Sequence, residues 1–175
     1  MSNRPTVLLG LGSNLPWREH SSQALIRGAA DTLRAYATDG FRLSALYRTS
    51  PVDCPPDSGD FVNAAIAMTV SERLTPGVLL SAAKAIERRH GRAADAPRNS
   101  PRPLDIDVLA FSDRIMQSER LTLPHPRAID RAFVLVPLAE VAPDFNWPGT
   151  DLSVAELLDR LESDETVCTI SAAPA

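Results

Sequence analysis

Leu104-Asp105-Ile106-Asp107-Val108 leaves few readings other than a half-buried β-strand. Residues two apart on a strand point to the same face, about 6.5 Å apart along the chain. Asp105 and Asp107 therefore share one face, while Leu104, Ile106 and Val108 fill the other. Two carboxylates at that spacing repel when both are ionised, unless a cation sits between them. Hard divalent ions such as Mg²⁺ take one or two carboxylates and complete their shell with water and substrate phosphates. A bare Asp-x-Asp is equally what a solvated acidic face looks like. Here the preceding Ser100-Pro101-Arg102-Pro103 stiffens the approach and delivers Arg102 beside the pair, which tips the reading toward phosphate and metal.

The charge distribution agrees. The net charge of −4 makes the molecule as a whole no trap for nucleic acid. Lys84 is the only lysine, yet residues 88–131 hold nine of the arginines. That clustering fits a local anion-binding surface, since arginine offers phosphate a planar fork. Cys54 and Cys168 are far apart and lack companions at ligand spacing, which points away from zinc and from a disulfide framework. No charged-then-apolar leader and no apolar run of about 18 residues are present, so a soluble, cytoplasmic protein without membrane contact is expected. At 175 residues the chain fits one domain, 1–175, and residues 164–175 carry no pattern and are expected to fray.

The elements fall in a recognisable order. Residues 6–11 form a β-rich run stopped by Gly12-Ser13-Asn14. Gly10-x-Gly12-Ser13-Asn14 lacks the Lys-Ser/Thr of a P-loop, and a tight strand exit and a place in a site both remain open for it. Ser21 or Ser22 caps a helix carrying Leu25, Ala29, Leu33 and Tyr36, which Gly40 is expected to close. Residues 41–49 read as one alternating strand, a proline-stiffened loop follows, and 60–70 reads as the next strand. Thr75-Pro76 starts a second helix that ends at Gly91, and a loop over 92–103 leads into the aspartate strand. The order β-α-β-β-α-β predicts an α+β, ferredoxin-like sandwich, an antiparallel sheet with both helices on one face and the other face free for ligand. Residues 121–126 are extended, 132–141 read as a helix with a break or kink at Pro137, and 153–161 as a short amphipathic helix.

Phe61 and Asn63 project the same way from one strand, offering a ring to stack on and an amide with donors and an acceptor. A flat heterocycle with a 2-amino-4-oxo edge suits both. Arg92, Arg102, Arg120 and Arg131 are phosphate candidates, with Thr122 and His125 as hydrogen-bond donors. Any one of these arginines could be a solvated charge, and His125 a structural histidine. As a set flanking the aspartate strand they read as an anion site.

Pro101-Arg102-x-Leu104-Asp105-Ile106-Asp107-Val108 resembles the motif of the 6-hydroxymethyl-7,8-dihydropterin pyrophosphokinases, and the likeness runs in order from about Val7 to Val141. It implies a diphosphokinase that moves pyrophosphate from ATP onto a pterin alcohol in folate biosynthesis. Asp105 and Asp107 would hold two Mg²⁺ and, with Arg92 and Arg102, form the catalytic set. The resemblance places the pterin between Phe61 and Phe133, on Asn63, Thr49 and Val52, with Ser13 and Asn14 beside it. It places Arg92, Arg102, Arg120, Thr122, His125 and Arg131 around the triphosphate, and Glu87 and Val108 near the rest of the nucleotide. Phe61 stands where the family often has tyrosine, Asn99 where it often has tryptophan, and Ala94 where a second basic residue is usual. A monomer acting on these small molecules alone is expected, with the 92–103 loop closing after ATP arrives.

From the residues alone two rivals remain. One is another Asp-x-Asp metal-dependent nucleotide transferase, separated by whether ATP yields AMP or ADP. The other is a ferredoxin-like RNA or regulatory module. The acidic net charge and the low aromatic content count against its RNA version.

Overall fold

The computed structural model describes residues 4–52, 59–92 and 100–171. Strand β1 (Thr6–Ser13) leads to α1 (Ser22–Leu33), then β2 (Ala37–Leu43), β3 (Tyr47–Thr49) and β4 (Phe61–Val70). Helix α2 (Pro76–Arg89) precedes the aspartate strand β5 (Asp105–Phe111). A small ribbon of β6 (Met116–Gln117) and β7 (Thr122–Leu123) follows, then α3 (Ala132–Val141), α4 (Val154–Arg160) and β8 (Val167–Thr169). The main sheet runs β5-β1-β4-β3-β8, with β2 continuing the β3 edge of β4. Its named pairings are all antiparallel, so the β-α-β-β-α-β sandwich is the fold observed.

Alternation along the strands makes two cores. Val7, Leu9 and Leu11 of β1 join Ile66, Ile106 and Val108 beneath α1 and α2. Leu8, Ala65, Ala67 and Leu109 face the other way and pack with α3, α4 and Trp147. The second face is thus half covered: α3 and α4 close the Leu8 end and leave the Gly10–Gly12 end open to the pocket. A register shift at Leu8/Leu9 bulges β5, so Leu109 and Ala110 both join the second core.

Local chemistry explains the ends. Ser21 caps α1 by accepting the Ala24 N–H, and Thr75 caps α2 with Pro76 in its first turn. Gly91, at φ +85°, ends α2 as expected. Ser153 and Glu156 form a reciprocal capping box on α4.

Four expectations are corrected. Gly40 does not close the first helix; α1 stops at Leu33, a short 3₁₀ turn follows, and Gly40 uses its φ of +59° inside β2, where the register shifts. The strand over 41–49 is two strands, because the Ser44 hydroxyl takes the Ala65 N–H and the Glu140 carboxylate takes the Ala45 N–H between them. Pro137 does not break α3, which runs unbroken with the proline ring buried. Residues 164–175 do not simply fray: Val167–Thr169 adds a strand to β3.

Candidate active site

A cavity of about 250 Å³ opens on the free end of the second face. Its floor is β1, lined there by Gly10, Leu11 and Gly12, with the Leu11 side chain turned into the helix-side core. Gly12 pairs with Asp105 on one side and Asn63 on the other; Gly10 pairs with Asp107 and Ala65. Strands lie about 4.8 Å apart, so Asp105 and Asn63 stand on opposite banks of a bare backbone trough roughly 10 Å across. A Cβ at Gly12 would approach Asn63 Oδ1 to 2.9 Å.

One bank is electrostatic. Arg92 hydrogen-bonds to Asp105 Oδ1, and Arg102 Nε lies 3.0 Å from Asp105 Oδ2 as an ion pair without hydrogen-bond alignment. Burial alone would raise the Asp105 carboxyl, but Arg102 and Arg92 together outweigh it and hold the group below the ordinary carboxylate range. Asp107 goes the other way, raised by burial and then by the charge of Asp105, with His125 offsetting only part. Burial lowers the His125 imidazole, against the pull of Asp107. The pair is therefore short of positive charge at Asp107 and open to the cavity, the condition under which a hard cation fits. Among the described residues no group of three or more His, Cys, Asp or Glu side chains is placed to hold a metal ion, so two carboxylates would form the protein's share of such an ion's shell.

The fold aims these groups from below. Glu87 is 1% exposed, and its Oε1 accepts the Ile106 N–H at 2.7 Å and the Lys84 ammonium at 2.8 Å. The same oxygen lies 3.1 Å from Arg92 Nη1. Burial raises the Glu87 carboxyl, and Lys84 offsets part of the rise. Trp17 fills the space where a Cβ at Gly91 would stand, so only glycine lets the chain turn sharply into Arg92. Asn14 brackets Arg102, accepting its N–H at 2.8 Å and donating its own N–H to the Arg102 carbonyl at 3.2 Å. His125 is seated on the outer edge of β5 by its N–H to the Leu109 carbonyl at 2.8 Å.

The other bank is flat and amide-bearing. Asn63 is buried and donates from Nδ2 to Thr49 Oγ1 at 2.7 Å, leaving its Oδ1 over Gly12. Thr49, Val52, Phe61, Asn63 and Phe133 line this end of the cavity, with the Arg131 guanidinium 5.3 Å from the Phe133 ring centre.

Of the residues singled out in the sequence, the cavity gathers Asp105, Asp107, Arg92, Arg102, His125, Arg131, Thr49, Val52, Phe61, Asn63 and Phe133. Ser13 lies on the opposite, helix-facing side, fully buried, its hydroxyl without a hydrogen-bond partner among the described residues. Val108 and Glu87 are likewise buried and outside the lining, and Asn14 supports Arg102 from outside it. Arg120 is exposed, and Thr122 sits on the β6–β7 ribbon. Ala94, Arg98, Asn99 and Cys54 lie outside the described residues, as does most of the loop expected to close. Lys84, Arg127, Gly10 and Gly12 line the cavity but were not singled out as ligands. Lys84 had a signal, standing three residues before Glu87 on the helix face that leads to Arg92.

Known proteins of similar sequence, and others of similar fold, bear on this site. The sequence model of the family described as 7,8-dihydro-6-hydroxymethylpterin-pyrophosphokinase (HPPK) matches residues 8–143. A protein of Methylorubrum extorquens named 2-amino-4-hydroxy-6-hydroxymethyldihydropteridine pyrophosphokinase is 43% identical over 157 residues, 88% of this chain and 92% of that one. A Pseudomonas aeruginosa protein of the same name is 39% identical over 142 residues, 81% and 83% of the two chains. Among solved structures, the Plasmodium falciparum HPPK-DHPS with pteroate superposes with a TM-score of 0.65 at 14% identity, over 90% of this chain and 42% of that chain. At that identity the likeness is one of fold.

Proposed function

The chain belongs to the 7,8-dihydro-6-hydroxymethylpterin-pyrophosphokinase family, and from that premise we propose which of its residues do which part of the chemistry. The enzyme transfers the pyrophosphoryl group of ATP to 6-hydroxymethyl-7,8-dihydropterin in folate biosynthesis, giving AMP and the pterin diphosphate. The arrangement that carries the assignment is the row Asp105–Gly12–Asn63 across three strands. It offers an amide for a heterocycle's edge, a bare floor for its plane and carboxylates beyond its far end.

In this reading the pterin edge meets Asn63, oriented by Thr49, with Val52 beside it and the ring between Phe61 and Phe133. Asp105 and Asp107 would hold two Mg²⁺, which when bound would offset triphosphate charge and make the substrate hydroxyl a better nucleophile. Arg92, Arg102, His125 and Arg131 bind phosphate oxygens from the cavity wall, and Lys84 adds a cation behind them. Arg120 and Thr122 are assigned to the triphosphate, and Glu87 and Val108 to the nucleotide's surroundings, on family resemblance alone. The hydroxymethyl oxygen forms a bond to the β-phosphorus while the bond to the α,β-bridging oxygen breaks. AMP leaves with that oxygen, and the hydroxyl proton passes to water. The nucleophile belongs to the substrate, so the protein's work is positioning and electrostatics.

The reaction class, an EC 2.7.6.3-like diphosphokinase, is tested by resolving the nucleotide product. AMP formed only with both pterin and Mg²⁺ is expected; ADP, or AMP without pterin, overturns the reading. We further place the enzyme in the cytoplasm as a monomer. No described helix is long and apolar enough to cross a membrane, and size-exclusion chromatography reads the oligomeric state.

A further inference from the structure

The family match ends at residue 143, yet a segment beyond it touches both walls of the cavity. Glu165 Oε2 accepts the Phe133 N–H at 2.9 Å. That donor belongs to the first turn of α3, whose N-cap Arg131 supplies no side-chain acceptor. A carboxylate there satisfies an orphan N–H and faces the favourable end of the helix dipole. Next along the chain, Thr166 exchanges two hydrogen bonds with Ser50, donating its N–H to Ser50 Oγ at 3.3 Å and accepting the Ser50 N–H at 3.2 Å. Val167 then pairs with Thr49, the residue that orients Asn63. Three consecutive residues thus tie the Phe133 wall to the Thr49–Asn63 wall.

We infer that Glu165 is a positioning residue for the heterocycle slot, setting where the Phe133 ring stands relative to Asn63 through the short 165–167 strap. This rests on the reading that the pterin lies between Phe61 and Phe133. Glu165 acts through Phe133 and not on phosphate, so its effect falls on one substrate. No other described side chain caps the α3 N-terminus, so removing the carboxylate frees the first turn and the ring it carries.

The test uses the full chain and titrates pterin and a non-hydrolysable ATP analogue separately against Glu165→Ala, Glu165→Gln and, as a control of the slot itself, Phe133→Ala. Glu165→Ala is expected to weaken pterin roughly five- to twenty-fold and raise its KM more than it lowers kcat, the scale of one charge-assisted hydrogen bond. Affinity for the ATP analogue should move by no more than about two-fold. Glu165→Gln, which keeps an oxygen acceptor, should recover most of the loss. If Phe133→Ala loses pterin while Glu165→Ala does not, the strap does not position the slot and the inference is overturned. Equal losses for both ligands, or a Gln variant no better than Ala, overturn it as well. If Phe133→Ala itself leaves pterin affinity unchanged, the slot reading fails, and the inference with it.

Discussion

Glu87 Oε1 accepts the Ile106 N–H at 2.7 Å, so α2 grips the edge strand at the one residue between Asp105 and Asp107. An edge strand leaves alternate N–H groups unpaired, and here a buried carboxylate takes the one beneath the acidic pair. The same oxygen faces Lys84 and Arg92. One side chain therefore sets both the strand that carries the acids and a cation that answers them. Removing it leaves a buried donor unsatisfied and Arg92 with less compensation. Glu87→Ala should destabilise the protein by about 2–3 kcal/mol, discounted for the partial exposure of Lys84 and Arg92. Glutamine keeps an acceptor for Ile106 and should cost less than alanine. Thermal unfolding of both variants checks this, and equal losses would contradict the hydrogen-bond account.

Asp105 and Asp107 should respond oppositely to neutralisation. Asp105 is lowered by its arginines, so its contribution to stability is present above the ordinary value of 3.8 and is lost as pH falls through its folded value. Asp107 is raised, so its ionisation opposes folding, and that cost grows as pH climbs from 3.8 through its raised folded value. In metal-free protein at neutral pH, Asp107→Asn should gain about 1 kcal/mol, a rise of about 2–4 °C in Tm, while Asp105→Asn should lose about 1–2 kcal/mol. Both should lose about 10²–10³ in turnover, the scale of an electrostatic contact removed from a transition state. Differential scanning calorimetry in EDTA, paired with an AMP-release assay, reads both effects. Losses of equal sign in stability would mean the pair is not split by Arg92 and Arg102.

The aspartate strand, the start of α2 and the Phe61–Asn63 pair are legible in the sequence because each rests on a local rule: strand alternation, a Thr-Pro start, two residues on one face. Gly40 misleads because a glycine after helical periodicity reads as a cap, whereas the chain spends its left-handed conformation on a bulge in β2. β8 is silent because Val167-Cys168-Thr169 has no alternation of its own and owes its order to pairing with β3. Lys84 looks like an ordinary solvated helix charge until the fold lays Glu87 and Asp105 beside it. The family likeness supplied what pattern could not, the identity of the heterocycle. It did not supply the side of β1 on which each residue stands.

Ser13 shows the consequence of that last point. Resemblance places it beside the pterin, while parity along β1 sends its side chain with Leu9 and Leu11 toward the helices. Its hydroxyl is buried without a partner among the described residues, a situation that costs about 1–3 kcal/mol. Ser13→Ala should raise stability by about 1 kcal/mol and leave pterin affinity within about two-fold. A pterin titration showing a larger loss would return Ser13 to the site.

Gly12 should tolerate no side chain, for a reason that belongs to the ligand as much as to the fold. A Cβ there meets Asn63 Oδ1 at 2.9 Å, closer than such atoms approach, and Asn63 has little freedom to retreat because its Nδ2 is held by Thr49. The methyl group would also stand in the trough between Asn63 and Asp105, on the floor the heterocycle is proposed to cross. Gly10 is the natural comparison: a Cβ there meets Leu109 Cδ1 at 3.3 Å, the far end of a flexible side chain that can shift. Gly12→Ala should therefore weaken pterin by at least roughly 2 kcal/mol, about thirty-fold, with ATP-analogue affinity changed by far less. Gly10→Ala should cost less than half as much free energy on the same scale. Parallel titrations of the two variants decide it. Equal effects at the two glycines would mean that the bare floor, and not the Asn63 contact, is what the heterocycle needs.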